Sequence, residues 1–188
     1  PSGSGKTTLL HSFGGLERID SGSIRVGERQ IAKESQARLS RWRAETIGFV
    51  FQFYNLMPML TARGNIELPL QLTSLRGKAR RRQVEAASEL VGMSHRLKHR
   101  PRELSGGEQQ RIAIARAIAA DPPILLCDEP TGDLDRASSQ DILTVLQKLA
   151  HEREKTVIMV THDPEAANYA DRIFHFNKGE LEEAANSK

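Results

Sequence analysis

Cysteine is nearly absent. Cys127 is the single one in 188 residues, which excludes an internal disulfide framework and fits a reducing compartment. It lies in the apolar run Ile124–Cys127. There a thiol reads as a small buried core group rather than a reactive one. No uninterrupted apolar run approaches the ~20 residues that span a bilayer, and no secretory signal is evident. There are no internal repeats. Lys and Arg number 27 against 24 Asp and Glu, for a net charge of +3. With 38% hydrophobic and 27% charged residues, the chain is sized for one domain with a real core.

The modest net charge is unevenly placed. Arg76, Lys78, Arg80, Arg81, Arg82, Arg96, Lys98, Arg100 and Arg102 are opposed within their stretch only by Glu85 and Glu89. A solvated helix face accounts for this, and contact with anionic lipid or nucleic acid are the alternatives. The stretch holds no aromatic residue, which speaks against single-strand binding.

The opening segment, Pro1-Ser2-Gly3-Ser4-Gly5-Lys6-Thr7-Thr8, carries most of a phosphate-binding loop. The full pattern is G-x-x-x-x-G-K-[ST], and the sequence begins at its first x. Gly3 and Gly5 let backbone N–H groups approach phosphate oxygens. Lys6 supplies a point charge for the β- and γ-phosphates, and the Thr7 hydroxyl suits the hard-oxygen shell of Mg2+. A helix over Lys6–Phe13 would aim its N-terminal dipole at the anion. The competing reading is a Gly/Ser-rich tail.

Farther along, periodicity predicts helices over Ser35–Arg43, Asn65–Leu72 (despite Pro69), Ala79–Val91, Gly107–Ala120, Ser138–Arg153 and Pro164–Ala170. Strands are expected at Ser23–Val26, Ile47–Phe51, Ile124–Cys127, Val157–Val160 and Ile173–Phe176, with turns at Ser21-Gly22 and Lys178-Gly179. Strands alternating with helices, several of them wholly apolar, point to an α/β fold with a parallel sheet covered on both faces. Phe53 to Glu103 has no comparable strand and reads as a helical insertion.

Two segments carry chemistry beyond the loop. Ile124–Cys127 runs into Asp128 and Glu129. Such an acidic pair can be a loop start or cap. Beside a phosphate loop, Asp128 would hold the magnesium shell and Glu129 would orient an attacking water. Leu104-Ser105-Gly106-Gly107-Glu108-Gln109-Gln110-Arg111 contains a capping box, Ser105 with Glu108. The box does not explain Gly106-Gly107, because glycine inside a helix costs up to ~1 kcal/mol against alanine.

Here the chain resembles the ATP-binding cassette family, whose signature motif matches Leu104–Gln110. Gln52 is similar to the family's Q-loop residue, Asp133-Leu134-Asp135 to its D-loop and His162 to its switch histidine. The resemblance implies an ATPase with a phosphate-loop, RecA-like core, a mostly parallel sheet with helices on both faces and a helical subdomain. Residues 1–52 and 105–188 would be the core and 53–104 the helical part. It implies ATP and Mg2+ as cofactors. Ser2, Gly3, Ser4, Gly5, Lys6, Thr7 and Thr8 would hold nucleotide, and Ser105, Gly106 and Gly107 would face the ATP of a head-to-tail homodimer partner. Thr7, Gln52 and Asp128 would serve the metal, while Glu129, His162 and Gln52 would act in hydrolysis. A transmembrane permease would be the driven partner, with no nucleic acid expected, and the subunit, paired with its own copy or with a second ABC ATPase, would sit peripherally at the cytoplasmic membrane face. The alternative is a soluble, non-transport ABC ATPase acting on DNA or ribosomes.

The stretch Phe51–Pro58, with Leu60-Thr61 and Asn65–Leu70, resembles the subgroup serving lipoprotein release and macrolide or peptide export. Gly64 departs from it, standing where a glutamate is usual. The resemblance also implies a preceding antiparallel β-region, an adenine-stacking aromatic and a central strand, none of them in these 188 residues. The piece alone is therefore expected to bind ATP poorly and fold marginally.

Overall fold

The computed structural model describes residues 5–177 and 179–184. The centre is a parallel three-stranded sheet in the order β3 (Ile47–Val50), β4 (Ile124–Asp128), β5 (Thr156–Val160). Two short antiparallel hairpins stand apart from it: β1 (Arg25–Val26) with β2 (Arg29–Gln30), and β6 (Phe174–Asn177) with β7 (Glu180–Glu183).

Helices cover both faces, as expected from strands apolar throughout. On one face α1 (Lys6–Phe13) and α2 (Gln36–Thr46) place Leu10, Leu39 and Trp42 against Ile47 and Leu126. On the other, α5 (Gly106–Ile118) and α6 (Arg136–Glu152) place Ile112, Ile114, Ile142 and Leu146 against Val50, Leu125 and Cys127. Successive residues of β4 thus feed opposite cores, and Leu125, Leu126 and Cys127 are all buried. Burial pushes the Cys127 thiol up to about 12, so it is inert packing. Gly48 lets α5 sit hard on β3: a Cβ there would lie 2.5 Å from the Ala117 carbonyl oxygen.

Between β3 and β4 the described chain is helical, comprising α3 (Ala62–Glu67), α4 (Gly77–Leu90), α5 and short 3-10 turns. The helix expected over Asn65–Leu72 is divided. It starts earlier, at Ala62, with Thr61 accepting from Gly64 N as N-cap, and gives way to a 3-10 turn at Pro69–Leu72. Proline has no N–H for the α-helical ladder and its ring crowds the preceding turn. Pro164–Tyr169 is likewise 3-10. Of Ser23–Val26 only Arg25–Val26 pairs, folded back through Gly27 onto the unexpected β2. Gly179 belongs to the last turn, with φ +88°, while its expected companion Lys178 lies outside the described residues.

Part of the basic stretch is committed internally. Arg80 pairs with Glu67 at 3.5 Å and Arg96 with Glu108 at 2.9 Å. Arg76 donates to the Thr73 and Leu75 carbonyls.

Candidate functional site

Parallel sheets gather loops at the carboxyl ends of their strands, and the candidate residues of β4 and β5 collect there. Gly5 is the N-cap of α1 with φ +93°, a left-handed conformation suited to glycine. It swings the chain into a helix whose first residues are Lys6, Thr7 and Thr8. Ser2, Gly3 and Ser4 lie outside the described residues. Thr7 Oγ1 donates to Asp128 Oδ1 at 3.0 Å, joining the start of α1 to the end of β4. One turn along α1, His11 Nε2 comes within 3.8 Å of Asp128 Oδ2. His11 therefore flanks the same carboxylate, a neighbour that the sequence reading did not identify.

Glu129, next in the chain, has φ +46°, sparsely populated for a side chain with a Cβ. Its amide donates to the Val160 carbonyl at 2.9 Å, continuing the β4–β5 ladder and fixing the turn. Its carboxylate accepts from the His162 amide at 3.2 Å and lies 2.8 Å from His162 Nδ1. Glu129 is largely covered and His162 mostly exposed, with side chains 17% and 68% accessible. A recessed carboxylate beneath an imidazole open to solvent can accept a proton from a water held at its rim.

Gln52 follows β3. Its Nε2 approaches Asp133 Oδ1 at 3.5 Å, so its amide oxygen remains for another partner. The bridge between these loops is Gln110. This fully buried side chain donates from Nε2 to the carbonyls of Phe51 (3.3 Å) and Pro130 (2.7 Å). One amide thus ties the residue before Gln52 to the residue after Glu129. The sequence reading assigned Gln110 no role, since nothing in a helical glutamine shows which carbonyls it will meet.

Ser105, Gly106 and Gly107 form a separate group at the start of α5. The expected capping box is present: Ser105 Oγ accepts from Glu108 N at 3.2 Å, and Glu108 Oε2 accepts from Ser105 N at 2.9 Å. That backbone N–H, helped by Arg96, holds the Glu108 carboxyl below its usual range. A Cβ on Gly107 would meet Ser138 Oγ at 3.0 Å, and one on Gly106 would meet Tyr54 Oη at 2.9 Å. Asp135 caps α6 by accepting from Ser138 N and Oγ at 3.0 and 2.7 Å.

Comparison with known proteins identifies the family. The ABC transporter family pattern matches residues 1–132. An uncharacterized ABC transporter ATP-binding protein of Thermotoga maritima is 46% identical over 97% of this chain and 77% of its own length. The lipoprotein-releasing system ATP-binding protein LolD 2 of Caulobacter vibrioides is 45% identical over 97% of this chain and 80% of its own length. The dimeric post-hydrolysis structure of the ATP-binding cassette MJ0796 bound to ADP and Pi superposes with a TM-score of 0.88. It is 38% identical and covers 99% of this chain and 83% of that one. The chain therefore belongs to the ABC transporter family and is one of its ATPases.

Proposed function

We propose that this chain binds ATP with Mg2+ and hydrolyses it as one of a pair of cassettes driving a membrane permease of the lipoprotein-release or peptide- and macrolide-export kind. The observation that carries this reading is the coupling of Glu129 to His162 immediately beside the Thr7–Asp128 contact.

In this reading Glu129 is the general base, taking the proton of the attacking water from a recessed position. His162 holds that water and contacts the γ-phosphate. Lys6 and the N-terminal amides of α1 bind the β- and γ-phosphates, with Ser2, Gly3, Ser4 and Gly5 shaping the loop and Thr8 continuing it. The donor chemistry fits a hard cation: Thr7 Oγ1 and Asp128 Oδ1 already stand 3.0 Å apart, and Gln52 has an amide oxygen to add. When bound, Mg2+ neutralises charge on the phosphate oxygens. Ser105, Gly106 and Gly107 face the ATP of the second cassette, so ATP favours the closed pair because it touches both subunits there. Residues 1–52 and 105–188 act as the RecA-like core and 53–104 as the helical subdomain.

The surface supports a permease contact on that helical side. Phe53, Met57, Met59 and Leu72 are 73%, 50%, 81% and 77% exposed. Leu72 also lines a cleft of about 300 Å³, together with Phe49, Phe51 and Pro69. Exposed large apolar side chains gathered on one segment mark an interaction site. Among the described residues no helix is long and apolar enough to cross a membrane. The subunit sits at the cytoplasmic face, held by its permease.

The test is Glu129→Gln in the full-length protein reconstituted with its permease. Hydrolysis is expected to fall by a factor of about a hundred or more, the scale of general-base catalysis, with ATP affinity retained. Undiminished hydrolysis would remove Glu129 from its role.

A further inference from the structure

Gly106 poses a question that its own backbone does not answer. It is not among the glycines with positive φ, so its conformation suits any residue. Near the start of α5 alanine would favour the helix. What Gly106 provides is room. The nearest atom to a Cβ built there is Tyr54 Oη at 2.9 Å, followed by Leu134 Cδ2 at 3.5 Å. The Tyr54 phenol therefore fills the space that a side chain at position 106 would occupy.

Tyr54 is itself held in a strained turn. It and Asn55 are consecutive non-glycine residues in the left-handed region, with φ +50° and +48°. Such a pair persists only when its surroundings over-determine it. Here Arg116 supplies the hold. Its Nη1 donates to the Asn55 carbonyl at 2.5 Å and its Nη2 to the Tyr54 carbonyl at 2.8 Å. The guanidinium is mostly buried, and no carboxylate pairs with it among the described residues. It serves as a backbone clamp. Burial, and then the nearby charge of Asp133, push the Tyr54 phenol above its ordinary 10. The same Asp133 meets Gln52 Nε2. Tyr54 thus stands where the Gln52 loop, the Asp133-Leu134 turn and the first turn of α5 converge.

We propose that Tyr54 is a positioning residue whose ring, seated against Gly106, passes the state of the Gln52 loop to Ser105-Gly106-Gly107. The proposal rests on the reading that these three residues face the second cassette's ATP. Two requirements then fall on Gly106: close approach to nucleotide from outside, and close approach to Tyr54 from inside. Only the second is relieved by removing the phenolic oxygen.

A double-mutant cycle in full-length protein carrying Glu129→Gln separates them. ATP-dependent dimerisation is read by analytical ultracentrifugation, and ATP affinity of the single subunit by calorimetry. Gly106→Ala is expected to weaken dimerisation at least tenfold. Adding Tyr54→Phe, which deletes the atom nearest the new methyl, should recover at least threefold of that loss, the remainder being the methyl's cost against nucleotide. Single-subunit ATP affinity should stay constant throughout, which a general folding defect would not allow. Tyr54→Ala alone should weaken dimerisation at unchanged ATP affinity, because the wedge is gone. A parent that dimerises while Gly106→Ala is harmless, or is not rescued by Tyr54→Phe, overturns the wedge alone. A parent that does not dimerise with ATP overturns the two-cassette reading and the wedge with it.

Discussion

Gly48 shows how one missing side chain sets the distance between a helix and a sheet. A Cβ there would meet the Ala117 carbonyl oxygen at 2.5 Å and Leu125 Cδ2 at 2.6 Å, and backbone cannot rotate away as a flexible side chain can. Gly48→Ala is expected to destabilise the protein by about 1–3 kcal/mol, the usual cost of overpacking. Chemical denaturation of the two proteins checks this, and an equal midpoint would mean that α5 can lift at no cost. The residue scale is also where the sequence was least legible. Asp128 and Glu129 could be singled out because an apolar strand runs straight into them. Thr7, 121 positions from Asp128, could be singled out by its own motif, but His11, which reaches the same carboxylate only once α1 packs beside β4, could not. The left-handed backbone of Tyr54 leaves no compositional trace either, because the clamp enforcing it, Arg116, belongs to another element.

Elements were legible where their own residues decide them. Helix α1 spans Lys6–Phe13 as expected, and β4 and β5 are the apolar runs Ile124–Cys127 and Val157–Val160, each extended by one polar residue, Asp128 and Thr156. The strand β7 was missed because Glu180-Leu181-Glu182-Glu183 lacks strand-like alternation and gains its form only by pairing with β6. Helix caps are a further property of elements and carry a pH signature. Hydrogen bonds from Ser105 N, then Arg96, hold Glu108 below its ordinary 4.5, and bonds from Ser138 hold Asp135 below 3.8. A carboxyl whose pKa falls on folding contributes stability above its unfolded value and loses it as pH drops through the folded one. The starts of α5 and α6 should therefore weaken as pH falls below about 4.5, not on the alkaline side. Glu108→Gln removes one titrating cap, so its urea midpoint should decline less than that of the parent between roughly pH 5 and pH 3. Parallel acid limbs would show that Glu108 does not contribute.

For the molecule as a whole, the layered sheet follows from alternating strands and helices, yet the surface does not follow from pattern alone. Phe53, Met57, Met59 and Leu72 read in sequence as ordinary apolar positions, and only the fold shows them facing outward. Replacing both Met59 and Leu72 with aspartate should weaken co-purification with the permease at least tenfold. ATPase activity of the isolated full-length subunit should remain, since neither side chain is among the catalytic candidates. Co-purification at the parental level would place the permease contact elsewhere.

The buried Gln110 has a consequence at this scale. Its two amide hydrogens are spent on carbonyls from two different loops. Neither loop can drift without unmaking a bond that helps fix the other. The segments bearing Gln52 and Glu129 are therefore fastened at a common rivet. Disorder admitted at one is therefore expected to reach the other, and hydrogen exchange of the two segments should rise together in Gln110→Ala.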